Sequence, residues 1–249
     1  MSAVLETRKL CKSFGALVVA QNIDFRLEPG ARHALIGPNG AGKTTFINML
    51  MGALAPTAGQ ILLGGEDVTR TPQSARVRSG LGRTFQITTL FRSLPVLDNV
   101  ALAVAERSGI APRLWRAASA HKEVIDESRG LLAALGLADD AATPVADLPY
   151  GKQRLVEIAI ALGLKPKVLL LDEPAAGVPS HESEKILSTL ERLPSEIAIL
   201  IIEHDMDLVF RFARRITVLV QGAVLVEGAP EEIARDVRVH QVYLGEQHA

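Results

Sequence analysis

Cysteine is almost missing from this 249-residue chain: Cys11 stands alone, which excludes an internal disulfide framework and suits a reducing cytosol. Long apolar runs are missing too. A stretch such as Ile197 to Ile202 has the length of a strand, far below the ~18 residues that a membrane helix needs. There is no excess of positive charge, with 27 Lys and Arg against 28 Asp and Glu, which argues against a general nucleic-acid binder. The histidines His33, His121, His181, His204, His240 and His248 show no metal-ligand spacing. Met1 to Glu6 lack the basic-then-apolar plan of a signal peptide, and no repeat or low-complexity linker interrupts the chain. These absences lead us to expect a soluble cytosolic protein. Its 48% hydrophobic content is enough for one large α/β domain or two small ones.

What the chain does contain is Gly37-Pro38-Asn39-Gly40-Ala41-Gly42-Lys43-Thr44, which fits G-x-x-x-x-G-K-[ST]. Glycines let backbone N–H groups turn inward around an anion, and a following helix adds its positive end. Lys43 is expected to reach the β- and γ-phosphates of a nucleotide, and the Thr44 hydroxyl to ligate Mg²⁺. Thr45, the next helical residue, joins the expected phosphate contacts. The context agrees: residues 31–36 read as a strand and 43–51 as a helix.

A second motif ends an apolar strand, Val168-Leu169-Leu170-Leu171, with Asp172 and Glu173. Ligands of α/β sheets bind beyond the carboxyl ends of such strands. Asp172 is therefore expected at Mg²⁺, and Glu173 is expected to orient and polarise the attacking water as general base. Gln86, at the end of an expected strand 82–86, suits Mg²⁺ or that water, or is a plain exposed polar residue. His204, after the strand 197–202, suits a hydrogen bond to the γ-phosphate or to Glu173, or is a structural histidine.

Residues 4–10 and 22–28 alternate as an antiparallel strand pair, and 59–65 reads as a strand ending in a turn. Helical periodicity marks 95–105, 121–135 and 152–163, and 107–120 reads as a loop. Strands are then expected at 167–172, 197–202, 216–220 and 223–227, with helices at 181–193 and 205–213 and a turn at Gln221-Gly222. The simplest architecture is α/β: residues 1–87 and 166–249 form a mostly parallel nucleotide-binding core with an N-terminal antiparallel β layer, and 88–165 form an inserted α-helical subdomain.

Asp147-Leu148-Pro149-Tyr150-Gly151-Lys152 lies between glutamine and acidic strand. The order phosphate loop, Gln86, this segment, Asp172-Glu173, His204 resembles the ATP-binding cassette (ABC) ATPases across nearly the whole chain. The resemblance implies a RecA-like P-loop NTPase core that binds ATP and Mg²⁺. It makes 147–152 the signature segment and Phe14 an adenine-stacking ring, although a core position for Phe14 is equally open. It further implies two cassettes enclosing two ATP molecules head to tail, with Pro149, Tyr150 and Gly151 facing the partner's nucleotide. Pro149 departs from the family's L-S-G-G-Q: it lacks the serine hydroxyl and its own N–H.

Tyr150-Gly151, Asp172 to Gly177, Glu203 to Met206 and Tyr243 to Glu246 look like the ATPases of branched-chain amino-acid importers. That subfamily implies a peripheral protein on the cytoplasmic face of the inner membrane. A second ABC ATPase subunit is expected, with a heterodimer favoured over a homodimer, together with two permease subunits and, indirectly, a periplasmic solute-binding protein. A soluble ABC ATPase of an assembly system is the alternative. Leu90, Phe91 and Leu94 are candidates for docking a transporter helix or for capping the helical subdomain, and Trp115, between Arg113 and Arg116, for a contact with lipid headgroups or a partner or for a surface anchor folded onto the domain itself.

Overall fold

The computed structural model describes residues 2–84, 90–110 and 121–245. Gln86 and Trp115 lie outside the described residues, as does Glu246. The chain forms two compact units: one comprises Met1–Leu81, Lys167–Glu173 and Pro194–Ala249, the other Gly82–Pro166 and Pro174–Leu193. Segment 174–193, assigned to the core by sequence, thus groups with the helices.

The first unit begins with β1 (Leu5–Phe14) and β2 (Leu17–Leu27), followed by β3 (Arg32–Ile36), α1 (Lys43–Met51), β4 (Ala58–Leu63), β5 (Glu66–Asp67) and α2 (Gln73–Arg78). Strand β6 (Leu81–Arg83) starts where this segment ends. The second unit carries α3 (Val96–Arg107), α4 (Lys122–Ala134) and α5 (Tyr150–Gly163). After β7 (Val168–Asp172), α6 (Ser180–Glu191) returns to the second unit. The first unit then closes with β8 (Ala198–Ile202), α7 (Met206–Phe212), β9 (Arg215–Val220), β10 (Ala223–Gly228), α8 (Pro230–Ile233) and α9 (Val237–Gly245).

Two sheets build the first unit. Strands β2-β1-β4-β5 pair antiparallel throughout. Strands β10-β9-β3-β8-β7 lie side by side; β9, β3, β8 and β7 are parallel and β10 is antiparallel at the edge. All five residues of β3, of β7 and of β8 are buried, as a parallel strand covered on both faces requires. Phe25 of β2 meets the His33 ring of β3 at 5.0 Å and the Phe46 ring of α1 edge-on at 5.6 Å. One aromatic therefore ties both sheets to the phosphate-loop helix.

Register decides where the chemistry sits. Leu35 pairs with Ile202, and Ile202 with Asp172. Just beyond these three come the phosphate loop, after Ile36 at Gly37, then Glu203-His204 and Glu173. They leave the same edge of the sheet, with ~4.8 Å between neighbouring strands. Gln221 and Gly222 both have positive φ, 48° and 78°, as the expected two-residue turn between β9 and β10 demands.

In the second unit α3 packs on α4 and α5, and Val100, Val104, Leu132, Leu155 and Ile158 of these helices are buried. Arg107 clamps the three together, with both Nη groups 2.7 Å from the Glu127 carboxylate and one 2.8 Å from the Gly163 carbonyl. The expected docking trio divides: Leu90 is buried and Phe91 is 59% exposed.

Candidate nucleotide site

Gly42 caps α1 in the left-handed conformation, φ 99°, and the loop before it is close-packed. A Cβ on Gly37 would lie 2.1 Å from the Leu219 carbonyl, and one on Gly42 2.7 Å from that of Val19. Both positions demand glycine. The Ala41 carbonyl accepts the Gly222 N–H at 2.9 Å, while the Gly222 carbonyl accepts that of Gln21 at 2.8 Å. The hairpin turn thus braces the loop's back. Lys43 Nζ donates to the carbonyl of Gly37 and, at 3.0 Å, to that of Pro38, which folds the cation into the loop. Thr44 and Thr45 continue the first turn of α1.

Asp172 is 5% exposed at the end of β7. Glu173 follows with φ 48°, a conformation that costs a non-glycine residue about 1 kcal/mol or more, while its N–H still reaches the Ile202 carbonyl at 2.9 Å. The strand therefore turns abruptly at the acid expected to act as base. His204 is no buried structural histidine: its side chain is 68% exposed, and Nδ1 lies 3.7 Å from Glu173 Oε1. Buried Glu203 accepts the His204 N–H at 3.3 Å, and Asp205 caps α7 by accepting from the N–H groups of Asp207 and Leu208. Phe14 is not in the core either; its ring is half exposed, with the Lys12 ammonium 4.8 Å from its centre.

The loop fits a polyphosphate, since Gly37 and Gly42 leave no room for side chains and its lysine is already turned inward. Thr44 and Asp172 offer the hard oxygen donors that magnesium takes. Among the described residues no group of three or more His, Cys, Asp or Glu could hold a metal, so such an ion would rely on few protein ligands and on the phosphates themselves.

In the second unit the signature segment forms the start of α5 itself. Pro149 is the N-cap, without side-chain capping, and Tyr150 is the first helical residue. The sequence had placed that start at 152. The N–H of Gly151 goes to Glu182 Oε2 at 3.2 Å, and a Cβ on Gly151 would collide with that oxygen. Lys152 Nζ lies 2.7 Å and 2.8 Å from the two Asp140 oxygens. Tyr150 is 40% exposed beneath the Arg154 guanidinium, 5.0 Å from the ring centre. Arg154 also pairs at 2.9 Å with Glu157, a carboxyl that burial pushes above its ordinary pKa despite the arginine. Glu182 had not been singled out from the sequence; its only signal was an acid in the first turn of α6, after Pro179.

The ABC transporter family matches residues 20–176. Over 250 aligned residues the chain is 38% identical to the high-affinity branched-chain amino acid transport ATP-binding protein LivG of Escherichia coli K12, covering 98% of both. Its fold matches the ADP conformation of MJ1267, an ATP-binding cassette of an ABC transporter, with TM-score 0.86 and 27% identity over 98% of this chain and 100% of that one. It also matches the dimeric post-hydrolysis state of the cassette MJ0796 bound to ADP and Pi, with TM-score 0.75 and 25% identity over 91% and 98% of the two chains.

Proposed function

The chain belongs to the ABC transporter family as an ABC ATPase, and from that membership we propose that it is the ATP-binding and hydrolysing subunit of a membrane importer for branched-chain or related amino acids. The observation that carries the proposal is the shared sheet edge, where the phosphate loop, Asp172-Glu173 and His204 emerge in one register, in a chain alike to LivG end to end.

In this proposal the N–H groups of Gly37 to Thr45 and the Lys43 ammonium bind the phosphates, and Phe14 stacks on the adenine. Thr44, Asp172 and Gln86 hold Mg²⁺, which when bound neutralises charge on the phosphates. Glu173 accepts a proton from the attacking water, and His204 fixes the Glu173 carboxylate in place. Pro149, Tyr150 and Gly151 close on the nucleotide of a second cassette, as the partner's signature closes on this one. The likeness to the branched-chain importer ATPases favours a heterodimer over a homodimer, and Pro149, which supplies neither hydroxyl nor N–H, would then make the two ATP sites unequal. No described helix is long and apolar enough to cross a membrane, so attachment to the cytoplasmic face is assigned to two permease subunits.

Affinity purification from gently solubilised membranes, with identification of the bound proteins, tests this directly. The importer reading expects two permeases and a second cassette. Recovery of the chain only from the soluble fraction, without permeases, favours an assembly factor instead.

A further inference from the structure

Among the described residues the largest wholly buried side chain is a cation, Arg76 of α2, 1% exposed. A buried charge needs compensation. Here it comes from four backbone carbonyls: Met49 at 2.7 Å and Leu50 at 2.6 Å through Nη1, Thr69 at 3.0 Å through Nη2, and Thr71 at 2.9 Å through Nε. Burial pulls its pKa down and the more distant Asp67 charge opposes this, yet a guanidinium so placed remains charged.

Two of the four acceptors lie in the last turn of α1, whose first turn is the phosphate loop's own. That helix carries no basic residue in its last turn and no acidic residue in its first. Its negative pole is therefore answered by a residue 25 positions beyond its end, and its positive pole is left for the phosphates. Gly52 makes the arrangement possible. It ends α1 at φ 79° with its N–H on the Met49 carbonyl, and a Cβ there would come 2.8 Å from Arg76 Nε. One glycine thus closes the helix and admits the cation.

We propose that Arg76 is a positioning residue for nucleotide binding: by gripping the C-terminal carbonyls of α1 it fixes the axial place and tilt of the helix whose N-terminus carries Lys43 and Thr44. The inference rests on the phosphate loop being the nucleotide site. Arg76 touches no nucleotide; it acts through α1, a rigid rod of nine residues and ~13 Å.

The test measures ATP and ADP affinity with a fluorescent nucleotide, steady-state ATPase kinetics and melting temperature for the wild type, Arg76→Met and Arg76→Lys. Arg76→Met is expected to weaken both nucleotides about tenfold, a step of about 1.4 kcal/mol, and to raise KM while kcat at saturation stays near wild type. Arg76→Lys, which keeps the charge and some of the bonds, is expected to recover most of the affinity. A purely structural role would lower the melting temperature and leave the Kd of the folded variant unchanged, and that result overturns the proposal. Should Arg76→Met fail to fold, Gly52→Ala displaces the guanidinium without removing it; an unaltered Kd in folded Gly52→Ala is equally fatal. Absence of nucleotide affinity in the wild type would instead sink the assignment of the phosphate loop, a distinguishable failure.

Discussion

The carboxyl edge of the parallel sheet and the start of α5 both carry residues proposed to meet a nucleotide, yet they are built differently. At the sheet edge Gly37 and Gly42 leave no room for a Cβ, a lysine is folded into its loop, and a glutamate is held at positive φ. At the head of α5 the chain supplies its own anion, because Glu182 already accepts the Gly151 N–H, and Lys152 is already paired with Asp140. There the amide is kept satisfied within the chain, since an orphaned buried N–H is costly.

The comparison breaks most readily at the loop. Gly37→Ala, which drives a Cβ to 2.1 Å from the Leu219 carbonyl, is expected to abolish measurable nucleotide binding and to destabilise the protein by about 2 kcal/mol or more, read by titration and chemical denaturation. Glu173→Gln leaves the loop intact. Nucleotide affinity is expected to persist while ATP turnover falls by about 10²-fold or more, measured as phosphate release. Equal affinity and equal turnover would remove Glu173 from the chemistry.

Acid separates the two units. Burial holds His33 down to a pKa of about 4, where its ring meets the Thr217 hydroxyl at 2.8 Å and that hydroxyl donates to Glu227. The unfolded chain therefore binds this proton first. Stability of the first unit is expected to fall as pH drops from about 6.5 to about 4, by about 3 kcal/mol in all. Glu157 in the second unit acts in the opposite sense. With its pKa raised, the folded state binds the proton before the unfolded state does, so acidification down to the ordinary carboxylate range stabilises α5. Hydrogen exchange at pH 7 and pH 5 should show protection lost in β3 and β9 and kept in α5; uniform loss would erase the distinction.

The smallest effects belong to the head of α5. Glu182→Ala removes the carboxylate that serves as its cap, at an expected cost of about 1 kcal/mol, seen as a lowered denaturation midpoint. Lys152→Ala breaks a partly exposed pair and is expected to cost less than about 1 kcal/mol. A larger loss from either change would show this region to be as internally built as the sheet edge.

The sheet edge was plain in the sequence because it is written in two dense local codes: a glycine-lysine-threonine loop, and apolar strands ended by acids. Burial on both faces leaves a parallel strand no alternation to blur, so β3, β7 and β8 were found to within a residue. The signature helix was misplaced because Pro149 and Gly151 are turn residues by habit, and here they begin a helix. The short helices α2, α8 and α9 went unnoticed for want of a full period of apolar residues. Arg76 was invisible for a deeper reason: its partners are carbonyls, which every residue has, so no pattern of side chains points to it. The positive φ of Glu173 is likewise set by tertiary packing rather than by residue type.

The turn between β9 and β10 is two residues long and has the look of a harmless place to splice in a tag, a reporter or a new chain end. Its glycine is in fact part of the footing of the Gly37–Thr44 loop. A Cβ on Gly222 would strike the Val19 carbonyl at 2.4 Å, and its amide is the prop beneath Ala41. Insertions or chain breaks between Gln221 and Gly222 will therefore silence ATP binding from a distance, whereas the Gly64-Gly65 turn, where an added Cβ meets nothing within 4 Å, is the hairpin where an engineer can cut.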